Sequence, residues 1–231
     1  MVYLIGDTHA QFRRMAVDIA IGEISNSTLI QVGDFGAGFK QNEAEEFEYI
    51  NGLLGLMNNR LYVIRGNHDD PAYFFEERKT GNITFLNDYS IIDADNKKIL
   101  LVGGAVSIDR RIRTEGISYW KEETFVYNGE KLCTALAGID RLDIVVTHSA
   151  PSEFWPYGYD NNVHNFISGD KDLHADLVKD RAGHSRLMKH LVQCGLQPQA
   201  WYYGHYHARY AGRYNGIRYR TLGPSEIFQH L

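Results

Sequence analysis

The sequence contains little cysteine and little proline, and it has no long apolar run. Its 231 residues include 2 cysteines, Cys133 and Cys194, which is too few for a disulfide scaffold. They also lack zinc-finger spacing, so we expect them to be small buried side chains on helices. With 5 prolines and 23% charged residues, collagen-like and low-complexity chains are excluded. This composition is typical of a globular protein in a reducing cytoplasm.

The chain also lacks an excess of positive charge. Its formal net charge is -5, which provides no general attraction for nucleic acid or for an acidic membrane surface. The first apolar run, residues 2–5, is far shorter than a signal peptide core or a membrane span. A chain of this mass can bury about 72% of its surface in one core. We therefore expect a single domain over residues 1–231, in which local groups hold any anionic substrate.

Hydrophobic periodicity predicts an α/β protein, because strands alternate with helices along the first third of the chain. A long loop is expected at residues 152–171 and a type I′ hairpin turn at Asn215-Gly216. The predicted strands are 2–5, 27–32, 61–64, 83–86, 89–93, 98–102, 143–147 and 199–203. The predicted helices are 11–24, 43–57, 71–79, 130–139 and 173–194.

Metal-capable side chains follow the predicted strands, several of them directly after glycine. They are Asp7, His9, Asp34, Asn67, His68, His148, His205 and His207. Because ligand sites form at the carboxyl ends of strands in open α/β sheets, these side chains are expected at one sheet edge. Carboxylate, amide and imidazole ligands without thiolate suit manganese, iron or zinc. The ligand count exceeds what one ion needs, and Asp34 is placed to bridge two ions ~3.5–4 Å apart.

Five blocks of this sequence, in order, resemble the signature of the calcineurin-like metallophosphoesterase superfamily. The blocks are Gly6-Asp7-Thr8-His9, Gly33-Asp34, Gly66-Asn67-His68-Asp69, His148 and Gly204-His205-Tyr206-His207. The resemblance implies that Asp7, His9 and His207 hold one ion. It implies that Asn67, His148 and His205 hold the other, with Asp34 shared. It also implies a two-sheet sandwich flanked by helices, with the last hairpin in the second sheet.

The sequence departs from this pattern after the bridging carboxylate. Many members carry an aspartate three residues after it, which pairs with the histidine of the Asn-His block, and many protein phosphatases continue with Arg-Gly. Here these positions are Ala37, Gly38 and Phe39. We expect His68 to protonate the leaving oxygen, with the alternative of a spectator role. Asp69, or a residue that the sequence does not reveal, must then orient it.

Arginines cluster after the strand that ends in Gly103-Gly104, in a segment that resembles one in phage-type and bacterial members of this superfamily. Of Arg110, Arg111 and Arg113, we predict that Arg110 binds the phosphoryl group together with Asn67. The alternative is a solvated face that pairs with Asp109 and Glu115. A second stretch, residues 209–220, alternates arginine and tyrosine, which a half-buried hairpin explains better than a nucleic-acid surface.

These features predict a metal-dependent phosphoric ester hydrolase. Two divalent ions, with manganese first and iron or zinc as alternatives, would support in-line attack on phosphorus by a bridging hydroxide. We expect a phosphomonoesterase that acts on a phosphorylated small molecule or phosphoprotein, with no membrane partner. The alternatives are a phosphodiesterase or nuclease and, in another class, a noncatalytic scaffold with the same fold.

Overall fold

Two six-stranded sheets form the centre of the protein, whose computed structural model describes residues 1–156 and 161–231. The strands are β1 (Val2–Ile5), β2 (Thr28–Gln31), β3 (Arg60–Val63), β4 (Arg78–Thr80), β5 (Ile83–Phe85), β6 (Ser90–Ala94), β7 (Lys97–Val102), β8 (Ile144–Thr147), β9 (Ala200–Tyr203), β10 (Tyr210–Tyr214), β11 (Ile217–Thr221) and β12 (Ile227–Gln229). The α-helices are α1 (Phe12–Ile21), α2 (Glu43–Leu56), α3 (Gly129–Ala135), α4 (Asn161–Gly169) and α5 (Leu173–Gln193).

The two sheets share one plan, in which four parallel strands are flanked by an antiparallel strand on each edge. The first sheet has the order β12-β1-β2-β3-β5-β4, and β12 and β4 are its antiparallel strands. The second has the order β10-β11-β9-β8-β7-β6, with β10 and β6 antiparallel. The carboxyl ends of the parallel strands therefore gather at one edge of each sheet, where ligand sites are expected.

Apolar residues on alternating positions of the strands build separate layers of the core. On β1, Val2 and Leu4 belong to the cluster between the sheets, whereas Ile5 packs beneath the helices of the first sheet. On β7, Leu100 and Val102 pack towards α5 on the outer face of the second sheet. This period of two buries both faces of each sheet and yields a helix–sheet–sheet–helix sandwich.

The expected α/β sandwich is confirmed, and its last hairpin belongs to the second sheet. Asn215 and Gly216 both have positive φ, 46° and 85°, as a type I′ turn requires. The alternating tyrosines and arginines of residues 209–220 thus lie largely on the β10–β11 hairpin. Within the described residues, no helix is both long and apolar enough to cross a membrane.

Three local predictions were wrong. Residues 71–79 form a short 3₁₀ turn at Pro71–Tyr73 and then β4 rather than a helix. The expected loop 152–171 contains α4, while residues 157–160 lie outside the described part of the chain. Both cysteines are exposed free thiols instead of core residues: Cys133 lies on α3, and Cys194 directly follows α5.

Candidate metal centre and active site

The ligand candidates reach the site because close backbone approaches bring the strand ends together. Register aligns Ile5 with Gln31 and Gln31 with Val63, so the loops after β1, β2 and β3 start at the same level. Gly33 has a φ of 99°, and a Cβ there would overlap the His148 ring. The glycine that precedes Asp34 thus permits contact between a loop of the first sheet and a ligand of the second.

The first ligand group consists of Asp7, His9, Asp34 and His207, each offering one atom within 4.8 Å of the others. His9 Nε2 lies 2.9 Å from His207 Nε2, and His207 Nε2 lies 3.3 Å from Asp7 Oδ2. His9 Nε2 is 3.8 Å from Asp34 Oδ2. The structure therefore brings together the four residues expected around the first ion.

The second ligand group consists of Asn67, His148, His205 and the same Asp34. Asn67 Oδ1 lies 2.8 Å from His205 Nδ1 and 3.1 Å from His148 Nε2. His148 Nε2 is 3.2 Å from Asp34 Oδ1. Asp34 thus directs Oδ2 towards the first group and Oδ1 towards the second, which is the placement expected of a bridging carboxylate.

The charges at this centre fit bound cations. Asp7 and Asp34 are buried, and their ion-pair partners in the described residues are histidines rather than lysine or arginine. Burial would raise the pKa of Asp34, but His148 beside it holds the pKa well below its ordinary value. Burial likewise lowers the pKa of His148, yet Asp34 raises it to about 9. The buried carboxylates favour positive charge at this point, as divalent ions would supply.

Neighbouring groups fix the orientation of the ligands. His148 Nδ1 donates to the Val32 carbonyl at 2.8 Å, which leaves Nε2 facing the site. Asn67 Nδ2 donates to Ser107 Oγ at 3.0 Å, which turns Oδ1 towards the two histidines. Burial holds the pKa of His205 well below its ordinary value, so the imidazole is neutral, as a metal ligand requires.

A buried polar network supports the loops that carry the three histidines of the second sheet. Ser149, directly after His148, donates to Asp180 Oδ2 at 2.6 Å. The Tyr206 hydroxyl lies 3.0 Å from Ser149 Oγ. Ser107, Ser149 and Asp180 were not predicted from the sequence, although Ser149 directly follows the predicted ligand His148.

His68 lies beside the first ligand group and contacts an arginine rather than a carboxylate. Its backbone N–H donates to Asp34 Oδ1 at 2.7 Å, and its ring is 5.0 Å from the His9 ring. Arg113 Nη2 contacts both ring nitrogens, Nε2 closely and Nδ1 at 3.1 Å. Burial, with a further contribution from Arg113 against the opposing effect of Asp34, lowers the pKa of His68 to about 4. The side chain that hydrogen-bonds the His68 ring is therefore a cation and not the acidic partner that the resemblance implies.

Asp69 lies beneath the site, and none of its hydrogen bonds to the described residues reaches the His68 ring. Its buried carboxylate accepts hydrogen bonds from the backbone of Phe35, Gly36 and Ala37 at 3.2, 2.6 and 2.9 Å. It also accepts one from the Gly66 backbone at 2.8 Å. These four bonds fasten the loop after Asp34 to the loop that begins at Gly66. The contacts favour a structural role for Asp69 over the catalytic role of orienting His68 that was expected from the sequence.

The arginine run separates into residues with different partners. Arg110 forms ion pairs with Asp170 at 2.7 Å and Asp176 at 2.6 Å, so its guanidinium is already engaged by two carboxylates. Arg113 is held by Asp109 at 2.8 Å and lies against His68. The structure thus brings Arg113 to the site instead of Arg110, which was the arginine predicted to bind substrate.

A cleft of about 790 Å³ opens over both ligand groups. Its floor includes Asp34, Asn67, His68, His205 and His207. Loop residues after β7 and residues of α4 and α5 form the facing wall. The cleft therefore has room for a phosphoryl group on the floor and for a larger group beyond it.

The fold agrees with comparisons to known proteins. The chain is similar to TT1561 of Thermus thermophilus, with a TM-score of 0.52 at 10% identity over 96% of this chain and 89% of that one. It is also similar to a Staphylococcus aureus protein described as a putative 5'-nucleotidase, with a TM-score of 0.52 at 13% identity. That match covers 98% of this chain but 49% of the other, so this chain spans about half of its length.

These likenesses, at 10% and 13% identity, show a shared fold. No curated protein sequence matches the chain. The profile of the calcineurin-like phosphoesterase family matches residues 1–209. With that match over most of its length, the chain belongs to the calcineurin-like phosphoesterase family.

Proposed function

We propose that this protein is a phosphomonoesterase that depends on two divalent metal ions, with manganese as the first candidate and iron or zinc as alternatives. The observation that carries the proposal is the position of Asp34, whose two oxygens face two separate ligand groups. Asp7, His9 and His207 would complete one site. Asn67, His148 and His205 would complete the other. Ions at such sites bind phosphoryl oxygens and lower the pKa of a bound water.

His68 is the proposed proton donor to the leaving oxygen. Its ring projects at the cleft floor beside the first ligand group. With its lowered pKa the ring is neutral at pH 7 before substrate binds. A phosphoryl anion beside the ring favours the protonated imidazole, which can then donate its proton as the ester bond breaks. Asn67, held by Ser107, is proposed to orient a phosphoryl oxygen as well as to act as a ligand.

The charge of the cleft favours a small monoester over nucleic acid. Apart from histidine, Arg181 is the one basic side chain among the described residues that line the cleft, and Asp109 is acidic. A nucleic-acid groove needs a track of lysine and arginine along several phosphates. A phosphodiesterase that acts on small diesters is the second candidate, because the ligand groups serve either chemistry equally. The complete ligand set disfavours a noncatalytic scaffold.

Comparing two esters that share one leaving group tests this proposal. With manganese, kcat/KM for p-nitrophenyl phosphate is expected to exceed that for bis(p-nitrophenyl) phosphate by ~10-fold or more. The reverse preference would replace the monoesterase with a phosphodiesterase. The protein should be assayed with manganese, iron and zinc in turn, and without metal as the control. If no metal makes the hydrolysis of either ester faster than in this control, the protein is not a phosphoesterase and the scaffold alternative is favoured.

Substituting the clustered arginines one at a time is expected to distinguish their roles. We propose that Arg113 positions the His68 ring. Arg113→Ala removes the side chain that hydrogen-bonds this ring, and we expect kcat/KM to fall ~10- to 100-fold, as for the loss of one charge-assisted hydrogen bond. Arg111→Ala is the matched control, because Arg111 belongs to the same run and is exposed. Arg113→Lys keeps the positive charge but loses the planar guanidinium with its paired N–H donors, so this variant should retain only part of the wild-type activity.

The same measurements decide between Arg113 and Arg110. A rise in KM for Arg110→Ala with normal kinetics for Arg113→Ala would restore Arg110 as the substrate arginine and contradict the role proposed for Arg113. Metal content and thermal unfolding should be measured for each variant, because Arg113 also contacts the Asn67 carbonyl at 3.3 Å.

A further inference from the structure

The wall of the cleft that faces the metal centre contains an apolar patch, which lies beside the polar side chains of Asp109, Asn162 and Arg181. Five side chains from four segments form it, and they are Ile108, Trp155, Val163, Phe166 and Leu177. Val163 and Phe166 are on α4, while Leu177 is on α5. All except Leu177 are partly exposed, so the wall presents apolar surface to the interior of the cleft. Such surface is favourable to cover with an apolar group and contributes nothing to binding a phosphate.

This wall is anchored on a small core of its own. Val106, Leu173 and Leu177 are buried together, and Ile108, Val163 and Phe166 pack against them. The ion pairs of Arg110 with Asp170 and Asp176 tie the loop after β7 to the chain at the start of α5. The wall is thus a packed surface with fixed positions, which lets it distinguish one bound group from another.

The polar floor and the apolar wall divide the cleft between two parts of a substrate. A phosphoryl group on the floor would direct its ester oxygen past His68 towards the wall. A sugar or glycerol against Ile108, Val163, Phe166 and Leu177 would have hydroxyls without hydrogen-bond partners on these four side chains, which weakens binding. A ring-sized apolar group would instead cover the wall and lose its own contact with water.

We propose that the natural substrate is a phosphate monoester whose alcohol carries an apolar, ring-sized group that lies against this wall. The inference rests on the proposed phosphomonoesterase function and adds the class of leaving group to it. Phe166 is the proposed specificity-determining residue, because it lines the cleft and belongs to the anchored cluster.

Benzyl phosphate and ethyl phosphate provide the test, since their alcohols have similar acidity and differ in the ring. With manganese, kcat/KM for benzyl phosphate is expected to exceed that for ethyl phosphate by ~10- to 100-fold. Phe166→Ala should reduce this ratio by ~10-fold. Ile167→Ala is the matched control, because Ile167 packs in the same cluster but does not line the cleft, and it should keep the ratio.

Binding of phosphonates tests the same inference without catalysis. Calorimetry with the manganese-loaded protein should show that benzylphosphonate binds ~10-fold or more tightly than ethylphosphonate. If Phe166→Ala fails to fold, Val163→Ser replaces it as a smaller change on the same wall. Val163→Ser should reduce the difference in affinity between the two phosphonates. Equal affinities for the two phosphonates would overturn the inference. It would also be overturned if Phe166→Ala and Ile167→Ala reduced the ratio of kcat/KM for benzyl phosphate to kcat/KM for ethyl phosphate equally. If the phosphonates differ as expected but no ester is hydrolysed, the wall binds as inferred and the proposed esterase function has failed instead.

Discussion

Asp34→Asn is expected to remove both metal ions and to lower kcat by at least ~10³-fold. The amide keeps the shape of the side chain but loses the negative charge that both ligand groups share. Asp34 is 1% exposed, and it faces His9 through one oxygen and His148 through the other. Among the described residues, no other carboxylate is placed between the two ligand groups in this way. Elemental analysis after dialysis against manganese measures the ion content directly.

His207→Ala is the matched control for this experiment, because His207 belongs to the first ligand group alone. This variant should weaken the binding of one metal ion and leave the second ion bound. Two ions per chain in Asp34→Asn, or one ion per chain in the fully active wild-type protein, would contradict the shared-carboxylate centre. Circular dichroism of each variant establishes that a loss of metal does not reflect a loss of fold.

His68→Ala is expected to keep its metal ions and to lose ~10²- to 10⁴-fold in kcat, the range for removal of a general acid. Its ring contacts Arg113 and lies beside the ligand groups, while its backbone N–H to Asp34 persists in the variant. The loss should be smaller for p-nitrophenyl phosphate than for benzyl phosphate, because p-nitrophenolate leaves without a proton.

Equal losses on these two substrates would show that His68 acts through charge or position and not as a proton donor. Metal loss in His68→Ala would instead make it part of the binding centre. Both substrates are measured with the same variant protein, so its folding and metal content are identical in the comparison. A difference between the two losses in kcat can then come only from the leaving group.

Much of the fold could be predicted from the sequence, because local patterns determine it. Short apolar runs that end at glycine or a polar residue predicted the strands, and the topology of parallel strands places Asp7, Asp34 and Asn67 at one edge. The structure brings these residues together with three histidines of the second sheet. The glycines that precede several ligands are required by close approaches, as Gly33 and His148 show.

The parts that could not be predicted depend on distant contacts. Arg110 and Arg113 are chemically identical, and their different roles arise from Asp170 and Asp176, about sixty residues further along the chain. In α4, Val163, Phe166 and Ile167 do have helical spacing. Polar residues surround them, so the helix is stabilised by its packing rather than by its own propensity.

The ligands of the metal centre are far apart in the chain, and this has a consequence for how the protein folds. His9 and His207 lie 2.9 Å apart although 198 residues separate them. Closing such a loop costs entropy before its contacts are gained, so pairs of this kind form late in folding. An ion that strengthens the finished centre therefore slows unfolding much more than it speeds folding. During synthesis, the centre can assemble only after His207 has emerged from the ribosome.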